Sequence, residues 1–256
     1  MYKMTKIAIV GCNGKMGGYV ADAVGERDDC QALFGVDAFG VSRYDFPVYK
    51  HFSEAQEKPD VIVDFSHPST LSDMLAYAKA NRIPCVICTT GYSPEQVEAI
   101  HEAAKEVAVF YSGNMSLGIN LLIELSKMAA KVLGSSFDIE IVEKHHNLKV
   151  DAPSGTALML ADGISETLAQ EPQYVYDRHA VRKKRAKNEI GIHSVRGGTI
   201  VGEHEVIFAG HDEVVTITHQ AQSKEVFAVG AVNAAVFLAK QGAGMYSMSD
   251  LLADKF

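Results

Sequence analysis

Between Glu143 and Thr156 the chain reads Glu-Lys-His-His-Asn-Leu-Lys-Val-Asp-Ala-Pro-Ser-Gly-Thr, its densest cluster of polar side chains. Histidine titrates near neutral pH and suits general acid work, which makes His145 and His146 candidates for proton transfer or substrate contact. Lys149 adds a full positive charge. Ser154-Gly155-Thr156 precedes a stretch of helical character, and the N–H groups of such a turn cradle an anion, either a carboxylate or a phosphate. A zinc site on His145 and His146 is a poor reading, because adjacent residues of a strand point to opposite faces. No metal is expected.

A second cluster lies near the start, where Val10-Gly11-Cys12-Asn13-Gly14-Lys15-Met16-Gly17 follows a short apolar run. The middle glycine lets a pyrophosphate approach the backbone, and the last lets helix and strand pack closely. The helix that follows contributes free N–H groups and the positive end of its dipole. A glycine trio alone is weak, but here a strand precedes it and a helix follows. Asp37 ends the next apolar run, where an acid meets the adenosine ribose hydroxyls. Its charge repels a 2′-phosphate and favours NADH, while Lys15 and Arg43 are available to receive one, so the expected cofactor is NADH, NADPH or both. Cys88-Thr89-Thr90-Gly91 and Ser112-Gly113-Asn114-Met115-Ser116 each follow a further apolar run, at the strand ends where such sheets bind ligands.

A hydride donor combined with an anion cradle and an acid describes a reductase of a small carboxylate bearing C=N or C=O. Two alternatives stay open on these residues: another two-domain NAD(P) oxidoreductase, or a dinucleotide sensor without catalysis. A phosphorylating semialdehyde dehydrogenase needs a nucleophilic cysteine in its second domain, and no cysteine follows Cys88. A sensor calls for a basic DNA-binding module. The only basic run, Arg182-Lys183-Lys184-Arg185, reads as a solvated loop.

The elements that must position these groups are legible from the pattern. Short apolar runs at 6–10, 31–36, 61–65, 85–88 and 107–111 alternate with helical stretches at 16–24, 71–81 and 94–106. Fully apolar strands separated by helices imply a parallel sheet buried on both faces, hence a Rossmann-type doubly wound α/β fold. After Asn120 the pattern changes. Helices at 121–132 and 156–168 accompany strands at 139–144, 190–195, 199–208 and 213–220, which suits an α+β domain with a mixed or antiparallel sheet. A long apolar helix covers 226–240.

The chain has 256 residues, 47% of them apolar and 22% charged, with a net charge of −8. That apolar content excludes intrinsic disorder. The negative charge argues against a nucleic-acid partner held by bulk attraction. No apolar run reaches the ~20 residues that span a bilayer. Met1 to Lys6 leads directly into Ile7-Ala8-Ile9-Val10 without the apolar core of a secretory signal, so a cytoplasmic protein is expected. Cys12, Cys30, Cys85 and Cys88 are too sparse for a disulfide scaffold and read as small apolar residues.

Taken together, these motifs resemble the dihydrodipicolinate (4-hydroxy-tetrahydrodipicolinate) reductase family of the diaminopimelate route to lysine. The resemblance covers essentially the whole chain. Its most specific piece runs from Glu143 to Thr156. Gly11 to Gly17, Asp64-Phe65-Ser66, Thr89-Thr90-Gly91, Asn114-x-Ser116-x-Gly118-x-Asn120 and Gly202-Glu203-His204 support it. The resemblance implies that His145 is the acid/base and Lys149 a proton donor. It places His146, Gly155 and Thr156 against the substrate, with Ser154 in the same turn. Gly11, Cys12, Asn13, Gly14, Lys15, Met16, Asp37, Cys88, Thr89, Thr90, Ser112, Gly113, Asn114 and Met115 match cofactor contacts. Cys88 stands where glycine is common in the family, and Met115 where phenylalanine is common. The family implies a homotetramer built through sheets of the second domain, a small dicarboxylate substrate, and no nucleic-acid or membrane partner. Residues 1–117 and 226–256 form the expected dinucleotide-binding domain and 118–225 the substrate-binding and oligomerisation domain, with hinges near 116–118 and 224–226.

Overall fold

The computed structural model describes residues 4–253. Residues 1–3 and 254–256, which belong to the expected first domain and leader reading, lie outside them. The chain forms two compact units: one runs to Ser116 and resumes at Glu225, and the other spans Leu117–Lys224.

The first unit opens with β1 (Thr5–Val10), α1 (Lys15–Gly25), β2 (Cys30–Val36), β3 (Val48–Tyr49), β4 (Val61–Asp64), α2 (Leu71–Asn81), β5 (Cys85–Ile87), α3 (Pro94–Ala103) and β6 (Ala108–Tyr111). Every residue of β4 and β5 is buried, as is all of β1 except the half-buried Lys6. Strands buried on both faces take apolar side chains at nearly every position, which is why these runs do not alternate; the buried Thr5 of β1 and Asp64 of β4 are the exceptions. All four cysteines are free and buried. α3 starts with a capping box: the Ser93 hydroxyl accepts from the Gln96 N–H, the Gln96 side chain accepts from the Ser93 N–H, and Pro94 sits in the first turn.

The second unit holds α4 (Leu117–Leu133), β7 (Asp138–His145), α5 (Gly155–Ser165), β8 (Gln173–Val175), β9 (Glu189–Arg196), β10 (Gly202–Ala209) and β11 (Val214–Ala221). Its sheet runs β11-β10-β7-β9-β8. β10 is antiparallel to both neighbours, whereas β7, β9 and β8 are parallel, so the sheet is mixed. Ile139, Ile141, Val206 and Phe208 pack with Leu122, Leu160 and Ile164 of α4 and α5. β7 alternates strictly, and its buried column is Ile139, Ile141, Glu143 and His145. Two apolar residues are thus followed by two polar ones at positions where packing alone would place apolar side chains, the kind of local exception expected at functional or strained sites.

The chain then returns to the first unit with α6 (Glu225–Leu238), β12 (Gly244–Tyr246) and α7 (Met248–Ala253). β12 pairs with β6 and completes a parallel seven-stranded order, β12-β6-β5-β4-β1-β2-β3. The order reverses between β1 and β4, and sheets of this kind bind ligands at such a point. α6 packs against α1, β4, β5 and β6. Its small residues are required there: a Cβ at Gly230 would lie 1.7 Å from the Met115 carbonyl oxygen.

The sequence pattern missed β3, β8, β12 and α7, whose two to six residues are too few to show a period. The third strand of the second half starts at Gly202 rather than Thr199, because 197–201 turn back beside His145. The basic run at 182–185 lies in a loop but is not simply solvated. Arg185 donates to Asp138 at 2.9 Å and to Glu140 at 3.0 Å, and Lys183 pairs with Glu189 at 3.2 Å. A loop crossing acidic strand ends acquires partners that composition does not reveal.

Candidate active site

In the first unit, a cavity of about 560 Å³ opens at the carboxyl ends of β1, β2 and β4, lined among others by Gly11, Asn13, Gly14, Asp37, Phe39, Ser66 and Thr70. Gly11 has φ +75°, and a Cβ there would lie 2.6 Å from the Phe65 carbonyl oxygen. A Cβ at Gly17 would lie 2.1 Å from the Gly11 carbonyl oxygen. Both glycines are therefore demanded by the turn itself. Gly14 caps α1 without a side-chain bond, and no acidic residue occupies the first turn. The helix end is left for an anion to complete.

Asp37 is oriented from two sides: its carboxylate accepts from the N–H of Asn13 and from that of Phe39, each at 3.1 Å. Asn13 in turn donates through Nδ2 to the Val41 carbonyl at 2.9 Å. Cys12 is fully buried, and burial raises its thiol to about 11, so only its backbone is available to a ligand. Tyr44 donates to the Cys12 carbonyl at 2.6 Å and pins the turn.

Not every expected cofactor residue lines this cavity. Lys15 is exposed and Met16 half-buried beside it. Cys88 is buried and bonded through its N–H to the Asp64 carbonyl, while Thr90 is exposed. Thr89 reaches the cavity indirectly, accepting at 2.8 Å from the N–H of Ser66. Ser112, Gly113, Asn114 and Met115 form a turn of their own. The Ser112 hydroxyl donates to the Asn114 carbonyl at 2.9 Å, and Met115 is buried. Phe39 and Thr70 line the cavity without having been singled out, and Ser66 lines it from a motif that carried no assigned role. Their signal was position after a strand, since Asp64-Phe65-Ser66 was noted without a role. Asp64 organises that loop: it is fully buried, its pKa is raised by burial, and it accepts from Tyr92 at 3.1 Å and from the Ser66 hydroxyl.

The second unit gathers the other cluster around one buried carboxylate. Glu143 has no exposed surface, and it accepts from Arg196 at 2.7 and 2.6 Å and from the Ser154 N–H at 3.1 Å. Burial pushes its pKa up, but the bonds from Arg196 and His145 outweigh burial and bring it down to about 2. The ionised carboxylate can only accept, so His145 donates to it from Nδ1, at 2.6 Å. That fixes the tautomer: the neutral ring carries its proton on Nδ1 and leaves Nε2 open. Burial lowers the His145 pKa, against the pull of Glu143. Gly202 keeps the approach to Nε2 clear, since a Cβ there would lie 3.1 Å from that atom.

His204 stacks edge-on to His145 at 5.2 Å and bonds the Ser154 hydroxyl at 2.9 Å. Burial, and then the neighbouring His145, bring His204 down to about 4. Ser154 caps α5 by accepting from the Ala157 N–H at 3.2 Å. Its own N–H goes to Glu143. The expected anion cradle is therefore narrower than Ser154 to Thr156: the exposed Gly155, around which a Cβ would meet nothing within 4 Å, begins the helix and is the open part. Lys149 pairs with Asp151 at 2.8 Å. His146 is half-buried with Nδ1 unpartnered. Glu143, His204 and Arg196 carry this arrangement, and the sequence assigned none of them a role. Glu143 and His204 stood inside noted motifs, whereas Arg196 gave no signal, its partner lying 53 residues away.

Sequence comparison adds the family. The model of the dihydrodipicolinate reductase N-terminus matches residues 5–115, and that of the dihydrodipicolinate reductase C-terminus matches residues 118–252. The chain belongs to the dihydrodipicolinate reductase family. Within that family, a 4-hydroxy-tetrahydrodipicolinate reductase from Caldanaerobacter subterraneus subsp. tengcongensis is 53% identical over 97% of this chain and 98% of its own. Another, from Clostridium tetani, is 47% identical over 98% of each. A dipicolinate-bound dihydrodipicolinate reductase from Paenisporosarcina sp. TG-14 superposes with a TM-score of 0.79 at 25% identity, covering 96% of this chain and 98% of that one. The first unit fits the dinucleotide such reductases use. Gly11 and Gly17 leave no space for a Cβ, the α1 terminus has no side-chain cap, and Asp37 is held at the cavity wall.

Proposed function

We propose that this chain reduces 4-hydroxy-tetrahydrodipicolinate to tetrahydrodipicolinate with NADH or NADPH, using His145 and Lys149 for proton transfer. The observation that carries the reading is the Glu143–His145 pair beside the Ser154–Thr156 turn, in a family member whose first unit holds a glycine-built dinucleotide cavity. Gly11 to Met16 and Asp37 hold the dinucleotide in this reading, with the loops at Cys88–Thr90 and Ser112–Met115. Residues 1–117 and 226–256 form the dinucleotide-binding domain, and 118–225 the substrate domain. When bound, the nicotinamide supplies a hydride to the substrate ring; with one proton taken up and the ring hydroxyl lost as water, the conversion balances.

His145 does the protonic half of the reaction. The electron pair displaced in the ring must take up a proton, and His145 Nε2 is the open nitrogen. Its lowered pKa makes the imidazolium a stronger acid than an ordinary histidine. Once the proton has left, the neutral ring keeps Nδ1–H on Glu143 and the same orientation. One substrate carboxylate sits on the N–H groups at Gly155 and Thr156, with His146 and Ser154 beside it. Lys149, steadied by Asp151, adds charge and a second proton source.

The same reading makes the protein a cytoplasmic homotetramer joined through the second sheet. No described helix is long and apolar enough to cross a membrane. The sheet face away from α4 and α5 leaves Val195 and Val214 exposed, as a face covered by another copy does. The test is consumption of reduced nicotinamide with freshly generated cyclic substrate. Substrate-dependent oxidation is expected. Oxidation with amino-acid or semialdehyde substrates instead would replace the reading.

A further inference from the structure

Arg196 connects the two residues to which the proposed function gives proton transfer. Its guanidinium grips both oxygens of Glu143, at 2.7 and 2.6 Å, and Nη2 also donates to the Asp151 carbonyl at 2.6 Å. Through Glu143 it reaches His145, and through Asp151 it reaches the loop that carries Lys149. A planar fork that meets a carboxylate at two points fixes its orientation as well as its charge. The third ligand of Glu143, the Ser154 N–H, draws the head of α5 into the same arrangement.

We propose that Arg196 is a positioning residue for the reduction: it holds Glu143 in the one orientation that keeps His145 Nε2 open and ties the Lys149 loop to the same point. The role rests on the proposed function, because it places groups for that chemistry. Arg196 itself touches neither reacting centre in this reading.

The groups facing His145 are few. Glu143 lies on its own strand, Arg196 on β9, His204 on β10, Lys149 on the following loop and Ser154 at the head of α5, with His219 of β11 behind His204. Removing the guanidinium charge takes a cation away from His145 and leaves the Glu143 carboxylate to it. The direction is therefore a rise in the pH at which His145 titrates.

The experiment compares wild type with Arg196→Gln and Arg196→Lys. The imidazole 15N resonances of His145 are followed with pH in the free enzyme, beside kcat/KM profiles. In Arg196→Gln the His145 titration moves to higher pH, the kinetic limb moves with it, and kcat falls roughly 10- to 100-fold. Arg196→Lys keeps the charge but loses the fork, so its titration stays near wild type while kcat falls about tenfold. If Arg196→Gln does not fold, Arg196→Lys is decisive: wild-type kcat and profile there overturn the role. An unmoved His145 titration in folded Arg196→Gln overturns it too, whatever the loss of activity. Wild-type enzyme that fails to turn over the cyclic substrate overturns the proposed function instead, so the two failures are distinguishable.

Discussion

The backbone N–H of Ser154 donates to the carboxylate of Glu143 at 3.1 Å, joining the head of α5 to the strand that carries His145. His145 and the Ser154 turn thus share one buried group, Glu143. A disturbance at Glu143 reaches both, and in the proposed reaction a ligand on the turn sits beside a histidine whose orientation is already set.

Stability should depend on pH through His204. Burial and the adjacent His145 bring it from its ordinary 6.5 to about 4. The unfolded chain therefore binds the proton first on acidification. The contribution is complete above pH 6.5 and disappears as the pH falls through about 4. A gap of about 2.5 pH units corresponds to about 3 kcal/mol. His145 and His219, both lowered by burial, act in the same direction. Glu143 adds a separate loss only below 4.5. Urea unfolding across this range should show the slope, and His204→Gln should flatten it. Equal slopes in both proteins would refute the assignment.

Gly17→Ala should damage dinucleotide binding. The new Cβ lies 2.1 Å from the Gly11 carbonyl oxygen, so the turn must shift. Kd for NADH, followed by its fluorescence, should rise about tenfold or more. Gly155→Ala, with open space around its Cβ, should leave that Kd alone. A wild-type Kd in Gly17→Ala contradicts the placement.

Lys149→Ala tests the local cradle. The chain carries a net charge of −8, yet the proposed substrate is a dianion, so its affinity must arise locally against the overall field. Loss of one charged contact of about 1.5–3 kcal/mol should lower kcat/KM roughly 10- to 150-fold, with KM rising and kcat falling. Cofactor Kd should not change. A defect confined to the cofactor would remove Lys149 from the substrate site.

Much of this was legible in the chain because the signals are local. Fully apolar runs such as Cys85–Ile87 announce a covered parallel sheet, and Gly11 and Gly17 announce a turn that only glycine fits. The place of the Ser154 turn before a helix was likewise visible, whereas the capping bond from the Ala157 N–H to the Ser154 hydroxyl is seen only in the structure. What stayed hidden depends on pairing across the sheet. Arg196 meets Glu143 only because β9 lies beside β7 in a particular register, and His204 meets Ser154 only through the register of β10. The loops at Cys88 and Ser112 are legible by their place after a strand, but which of their atoms are already bonded depends on backbone contacts that no spacing encodes.

The most direct measurement is turnover of freshly made cyclic dicarboxylate by wild type and His145→Gln, side by side, with NADH and with NADPH. The wild type should oxidise reduced nicotinamide in proportion to substrate. The variant should lose about 10²- to 10⁴-fold in kcat, the usual worth of a general acid, with cofactor Kd unchanged. Equal kcat in the two proteins, or no turnover by wild type with either cofactor, would contradict the account.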